Sequence, residues 1–267
     1  MSGTPRPVPR RRSVAARFIR FVLPPLAPLV IGVAAMEMLA RGGVIREYLL
    51  PPPSRVWRTL CDDGRPLLRG LGNTTIAALA GFALSVSLGV TIAVLLASHR
   101  WIRRSLYPYA VFFQTVPILA IAPLLVIWLG YGLPTAIASA FVASVFPVIA
   151  NTLNGLRSTD PALIDLFRLY GASGGDTLFK LRLPSALPSI LTGLRIAGGL
   201  AVIGAIVGEF IGGSGSLGDL MTSAIAQQRN DLVFAAVLLA SLLGLALFGA
   251  INLASYLALR NWHPSER

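Results

Sequence analysis

The chain has 267 residues, 55% of them hydrophobic and 13% charged, with a mean hydropathy of +0.72. A soluble domain carries about a quarter charged residues, so this composition excludes an ordinary globular domain, and the apolar runs are too long and too many for a buried core. The net charge of +12 would suggest nucleic acid in a soluble protein, but the cations sit in short flanks between apolar runs with no aromatic interleaving, which argues against a nucleic-acid partner.

Residues 1–20 read as a basic, Pro- and Arg-rich arm. The apolar run that follows, Leu23 to Ala40, is longer than a signal-peptide core and has no convincing cleavage site after it. A spanning helix needs about 20 apolar residues. The segments that meet this are Phe21–Ala40, Thr75–Ala97, Leu106–Leu129, Thr135–Leu153, Ala186–Phe210 and Leu232–Leu259. None shows the alternation of a membrane barrel. The expected fold is an all-α membrane protein, a six-transmembrane-helix bundle over residues 21–267 in a lipid bilayer. Gly130–Leu133 is a minimal turn. The connections Arg41–Thr74, Asn154–Ser185 and Ile211–Asp231 are too long for turns and should carry structure of their own. The first of them contains PPPSRVWRTLCDDGRPLLRG, which suits an amphipathic helix at the outer surface.

Several spans are patterned for close packing. Gly204 and Gly208 lie four apart, Ala197, Ala201 and Ala205 keep a similar spacing, and Gly81, Ser85 and Gly89 repeat it. Packing within one chain is the favoured reading over a contact between copies. Pro108, Pro117 and Pro123 in the third span and Pro147 in the fourth should bend their helices.

Arg and Lys counts set the orientation. The arm, Ser98–Ser105, the Asn154–Ser185 connection and the C-terminus hold more of them than the alternating connections, whose cations are Arg41, Arg46, Arg55, Arg58, Arg65, Arg69 and Arg229. The excess places both termini in the cytoplasm.

The Asn154–Ser185 connection, NGLRSTDPALIDLFRLYGASGGDTLFKLRLPS, is the most informative. Thr159 or Asp160 can cap a helix that begins at Pro161 and runs to Tyr170. Ala162, Leu163, Leu166, Phe167 and Leu169 give it an apolar face, and Gly171 stops it. A second short helix, Gly175 to Leu181, should end before Pro184. Such a pair needs a partner to bury its apolar residues.

The stretch Asp165-Leu166-Phe167-Arg-Leu-Tyr-Gly171-Ala172-Ser173, followed by Leu183-Pro184, resembles the signature loop of ATP-binding-cassette (ABC) importer membrane subunits. The acid, the glycine-alanine pair and the leucine-proline keep the signature's spacing. Asp165-Leu166-Phe167 stands where the usual start is Glu-Ala-Ala. Leu50-Pro-Pro-Pro-Ser54, Gln114-Thr-Val-Pro117, Ala122-Pro-Leu-Leu-Val-Ile-Trp128, Phe146-Pro147 with Asn151-Thr152, and Gly208-Glu209-Phe210 with Gly215-Ser-Leu-Gly218 are similar to the nitrate, sulfonate and taurine branch, which also holds permeases for thiamine-precursor pyrimidines. The resemblance implies a permease of the bacterial inner membrane, usually a homodimer, that forms the path for a small solute. A cytosolic ABC ATPase that binds ATP and Mg would grip the loop, and an extracytoplasmic solute-binding protein would deliver the solute. The loop residues so implicated are Asp165, Leu166, Phe167, Gly171, Ala172, Ser173, Leu183 and Pro184. The sequence has no G-x-x-x-x-G-K-[ST] phosphate loop, so the chain is not expected to hydrolyse ATP itself or to bind a cofactor.

Acids near span ends mark further candidates. Glu209 precedes the glycine-rich Ile211–Gly218. It either organises that loop as an outer-gate residue or lies exposed at the interface. Glu37 suits interfacial exposure. Gln114, Pro117, Asn151 and Glu209 are the candidate gate or path residues. No catalytic set and no metal-ligand spacing emerges: Cys61 is alone, and His99 and His263 flank apolar runs. An ion-coupled secondary carrier is the alternative, but no repeated half is visible.

Overall fold

The computed structural model describes residues 14–43, 45–213 and 215–260. Residues 1–13 of the expected arm, and His263, lie outside the described residues. The chain divides into two compact units, 1–58 and 59–267.

In the first unit, α1 (Val14–Arg41) contains the expected Phe21–Ala40 run. Glu37, near its end, is tied down. Its carboxylate accepts from Ser54 N at 3.0 Å and Ser54 Oγ at 2.7 Å, and pairs with Arg41 Nε at 2.6 Å. The expected amphipathic helix is α2 (Pro53–Asp62), with proline at its first position and Trp57 exposed; the helix's last four residues, from Thr59 on, belong to the second unit.

In the second unit, α3 (Gly64–Ser98) is followed by α4 (Arg100–Thr115), α5 (Ile118–Leu129) and α6 (Leu133–Arg157). After α7 (Pro161–Leu169) and a single turn α8 (Gly174–Asp176), a π-helical turn over Thr177–Arg182 leads into α9 (Leu183–Gly212). The unit closes with α10 (Leu217–Ala226) and α11 (Asn230–Leu259). Among the described residues, helix is the regular structure found. Four helices there are long and apolar enough to cross a membrane: α3, α6, Gly174–Gly212 and α11.

Three boundaries differ from expectation. The second span begins earlier, because Gly64–Thr74 is helical and continuous with it. At about 1.5 Å per residue, α3 exceeds the roughly 30 Å hydrocarbon thickness and must project beyond it. The third span is broken: Val116 and Pro117 are extended, with ψ 122 and 126. Pro117 lacks the N–H and pushes its predecessor out of the helical region. Finally, the second loop helix does not end before Pro184. Pro184 sits in the first turn of α9, and the chain runs on from the π turn without a gap. A prolyl ring crowds the carbonyl four residues back, and the wider π turn upstream accommodates it.

The core is built from small side chains. Ala77, Ala78, Ala136, Ala140, Ala201, Val202 and Ala205 form one buried cluster joining α3, α6 and α9. A methyl on Gly204 would lie 2.6 Å from Ser139 O, so α6 and α9 touch backbone to backbone. Ala197, Ala201, Gly204, Ala205 and Gly208 are all buried, so this small-residue face packs within the chain, as do Gly81, Ser85 and Gly89. Ser85 Oγ and Ser144 Oγ bond across the interface at 2.7 Å, adding a polar contact where the solvent is lipid.

Candidate functional site

The segment between α6 and α9 is fixed at each corner by local chemistry. Asp160 caps α7 by accepting from Ala162 N at 2.9 Å, and Pro161 occupies the first turn. At the other end Gly171 takes φ +69. Gly171 N donates to Arg168 O at 3.0 Å and Ala172 N to Phe167 O at 3.0 Å, which is a complete Schellman closure. Ser173 then caps the next turn. Its Oγ accepts from Asp176 N at 3.1 Å and donates to Asp176 Oδ2 at 2.6 Å. Lys180 pairs with Asp176 at 2.5 Å.

This corner chemistry holds an apolar surface outward. Leu169 is 85% exposed and Tyr170 84%, with Leu163, Leu166 and Phe179 also exposed. Ile164 and Phe167 are half-buried on the opposite side of α7. Between α7, the π turn and the end of α3 lies a cleft of about 470 Å³, lined by Ile164, Ala172, Leu178, Arg182, Val94 and Ser98 among others. Of the residues expected in this site, Asp165, Leu166, Gly171 and Ser173 are exposed, while Phe167, Ala172, Leu183 and Pro184 are half-buried. Asp165 pairs with Arg168 at 3.1 Å on the surface. Tyr170 and Phe179 were not singled out from sequence. The signal for Tyr170 is an aromatic ring directly before the helix-stopping Gly171; Phe179 has none as clear.

The candidate gate or path residues do not form one cluster. Gln114 and Pro117 are exposed at the α4–α5 break. Asn151 is half-buried, donates to Pro147 O at 2.9 Å, and abuts Gly193 of α9. Glu209 is 1% exposed, so interfacial exposure is excluded for it. Thr74 Oγ1 donates to Glu209 Oε2 at 2.9 Å, and Gly218 N donates to the same oxygen at 3.1 Å. Leu217 N in turn donates to Thr74 Oγ1 at 3.1 Å. The carboxylate therefore accepts one first-turn donor of α10 directly, Thr74 accepts the other, and together they join α3, α9 and α10; Glu209 Oε1 is buried without a hydrogen bond among the described residues. Gly218 allows the approach, since a methyl there would lie 2.6 Å from Glu209 Cβ. A second polar tie links the α2–α3 junction to the start of α11. Arg229 pairs with Asp63, and Thr59 Oγ1 donates to Asp231 Oδ2 at 2.8 Å. Among the described residues, no group of three or more His, Cys, Asp or Glu is placed to hold a metal ion.

Comparison with known proteins places this arrangement. Residues 85–257 match the family described as binding-protein-dependent transport system inner membrane component. A probable ABC transporter permease protein of Haemophilus influenzae is 39% identical, over 84% of this chain and 92% of its own. The formylaminopyrimidine transport permease protein ThiX of Halalkalibacterium halodurans is 38% identical, over 78% of this chain and 83% of its own. Among solved structures, the inward-facing MetNI methionine ABC transporter aligns with a TM-score of 0.58 at 21% identity, covering 70% of this chain and 95% of that one. That likeness is one of fold.

Proposed function

This chain belongs to the binding-protein-dependent transport system inner membrane components and is a multi-pass permease subunit of an ABC importer for small solutes; from that premise we propose that its α7–α9 approach is the element gripped by the ATPase. The observation that carries this is the exposed apolar end of α7, Leu166, Leu169 and Tyr170, held out by a closed cap at Gly171. An amphipathic helix of nine residues is too short to be stable alone, so its apolar side calls for a groove on a partner. Asp165, Leu166, Gly171 and Ser173 lie on that surface. Phe167, Ala172, Leu183 and Pro184 lie half-buried behind it.

The rest of the reading follows the family. α1 and the broken α4–α5 pair add two spans to the four long helices, giving six, with residues 1–20 and the α6–α9 segment in the cytoplasm. Two copies form the path, an extracytoplasmic binding protein delivers the solute, and ATP with Mg is bound by the ATPase and not by this chain. Glu209 steadies the extracytoplasmic end of α9 and tunes gating there. The similarity to ThiX supports a formylaminopyrimidine-type solute over the nitrate, sulfonate or taurine classes of the same branch. The ion-coupled carrier reading falls with the family assignment.

The test is a reconstituted complex with the ATPase and binding protein. Solute-stimulated ATP hydrolysis should collapse in Gly171→Val while both subunits stay membrane-inserted. A Ser173→Cys probe in a Cys61→Ser background should react only from the cytoplasmic side. Labelling from outside intact cells would reverse the orientation.

A further inference from the structure

A second cleft, of about 280 Å³, opens between the first turns of α4 and the last turns of α6. Its lining combines two kinds of surface. Arg103 and Arg104 from α4 and Arg157 from α6 supply three guanidinium groups. Ala150, Leu153 and Pro108 supply apolar floor, with Leu153 buried and Tyr107 packed against its cluster. Among the described residues, no carboxylate pairs with any of the three arginines; the acids nearest in sequence are already engaged, Asp160 as the α7 cap and Asp165 with Arg168. Three like charges gathered without a counter-charge repel one another, and an anion would relieve that repulsion.

Position narrows the anion. Arg157 is the last residue of α6, a 25-residue apolar helix, and Arg103 and Arg104 lie within one turn of the start of α4. At about 1.5 Å per residue, α6 outruns the roughly 30 Å hydrocarbon core, so its end lies at head-group depth. Trp101, 81% exposed, stands beside the arginines, and Tyr109 is 65% exposed one turn or two further on. Such aromatics settle at the membrane–water boundary. A free inorganic anion would have no use for the apolar floor or the exposed indole.

We propose that this cleft binds an anionic phospholipid, with its phosphate on Arg103, Arg104 and Arg157 and its glycerol end against Pro108, Ala150 and Leu153. Basic pockets between transmembrane helices suit such head groups, and each cation near the surface adds to the attraction. Binding rests only on the chain's embedding in the bilayer. Assignment to the cytoplasmic leaflet rests on the orientation proposed above. The lipid would clamp α4 to α6 at the end of the bundle from which the α7 segment departs.

The experiment is native mass spectrometry of the full importer complex, titrated with dioleoyl phosphatidylglycerol or dioleoyl phosphatidylcholine. The wild-type chain should bind the anionic lipid at least about tenfold more tightly, in line with several cations acting together. Arg103→Gln/Arg104→Gln/Arg157→Gln should bring it down to the zwitterionic level. The triple Lys variant should keep most of the preference, and Arg65→Gln/Arg69→Gln on α3 should leave it intact. If the triple Gln complex does not assemble, Arg104→Gln alone should still weaken binding about threefold. Unchanged phosphatidylglycerol binding in the Gln variants overturns the proposal. Displacement of the lipid by millimolar inorganic phosphate overturns it in favour of a free-anion site. Loss of the ATPase with lipid retained assigns the cleft to the ATPase instead. ATP hydrolysis measured in parallel separates failure of this site from failure of the coupling reading.

Discussion

The two ends of α9 are finished in opposite ways. At its beginning, the segment 158–182 uses short-range caps at Asp160, Gly171 and Ser173 to hold Leu169 and Tyr170 out in the open. At its end, Glu209, Thr74 and the first turn of α10 satisfy one another inside the chain, with both side chains buried. The first end has its helix caps closed and its apolar side chains unpacked. The second is packed and bonded within the chain through Glu209 Oε2, while Glu209 Oε1 is buried without a hydrogen bond among the described residues. An end packed and bonded within its own chain holds the fold together, and changes there should cost stability. An end whose caps are closed and whose apolar side chains are left unpacked is built for association, and changes there should cost coupling while the chain stays folded.

Gly171→Val breaks the comparison most sharply if it is wrong. At φ +69, a β-branched residue is strained whatever the free space, at a cost of about 1–3 kcal/mol. Nothing lies within 4 Å of the missing Cβ, so the strain should be relieved by re-aiming α7 rather than by unfolding the bundle. Stimulated ATP hydrolysis should fall more than about tenfold, because losing 1.4 kcal/mol or more of docking is a factor of ten, while the thermal midpoint of the permease hardly moves. A collapse of the midpoint would make this end structural like the other.

Glu209 tests the opposite end. Glu209→Leu strands Thr74 Oγ1 and Gly218 N without their acceptor. Unsatisfied buried donors cost about 1–3 kcal/mol each, so the midpoint in detergent should drop by several degrees. Glu209→Gln keeps an oxygen in place and should lose less, altering uptake kinetics while the ATPase still assembles. A Glu209→Leu variant as stable as the wild type would show that this end is not closed by its own bonds. Gly218→Ala should come next in size. Its methyl meets Glu209 Cβ and Ile206 O, at 2.6 and 2.9 Å, and the midpoint should fall without any change in ATPase binding.

These two ends also differ in how far the sequence exposes them. The caps of the 158–182 segment are local, so Asp160, Pro161 and Gly171 were legible within a few residues of where they act. The Glu209 tie was legible only as an acid near the end of a span. Its burial depends on Thr74, which lies 135 residues away, and on Gly218 letting α10 come close. The small-residue faces were legible because period and residue size both point to close packing. The break at Pro117 was not, because Pro108, Pro117 and Pro123 look alike in an apolar run. The distinguishing signal is the preceding residue. Thr115 and Val116, both β-branched, lead into Pro117, whereas Tyr107 and Ala122 lead into prolines that remain inside helices. The run-through at Pro184 was missed because a π turn has no clear signature in residue type.

Asp165→Lys is the smallest expected effect and the one that sharpens the comparison most finely. Asp165 makes only an exposed pair with Arg168, three residues on, at 3.1 Å. Exposed pairs add little to stability, so removing this one should leave the melting curve of the permease unchanged. What changes is the sign of the charge beside Leu166 and Leu169. If the ATPase groove is basic, the substitution replaces an attraction by a repulsion and leaves the apolar contacts in place. Association should weaken at low salt, and the deficit should shrink as added salt shortens the screening length from about 30 Å at 0.01 M to about 8 Å at 0.15 M. Gly171→Val, which acts through backbone geometry, should show no such salt dependence. Pull-down of the ATPase across a salt series distinguishes the two. Equal deficits at every salt concentration would mean that Asp165 acts through the shape of α7, and the charge would then have no part in docking.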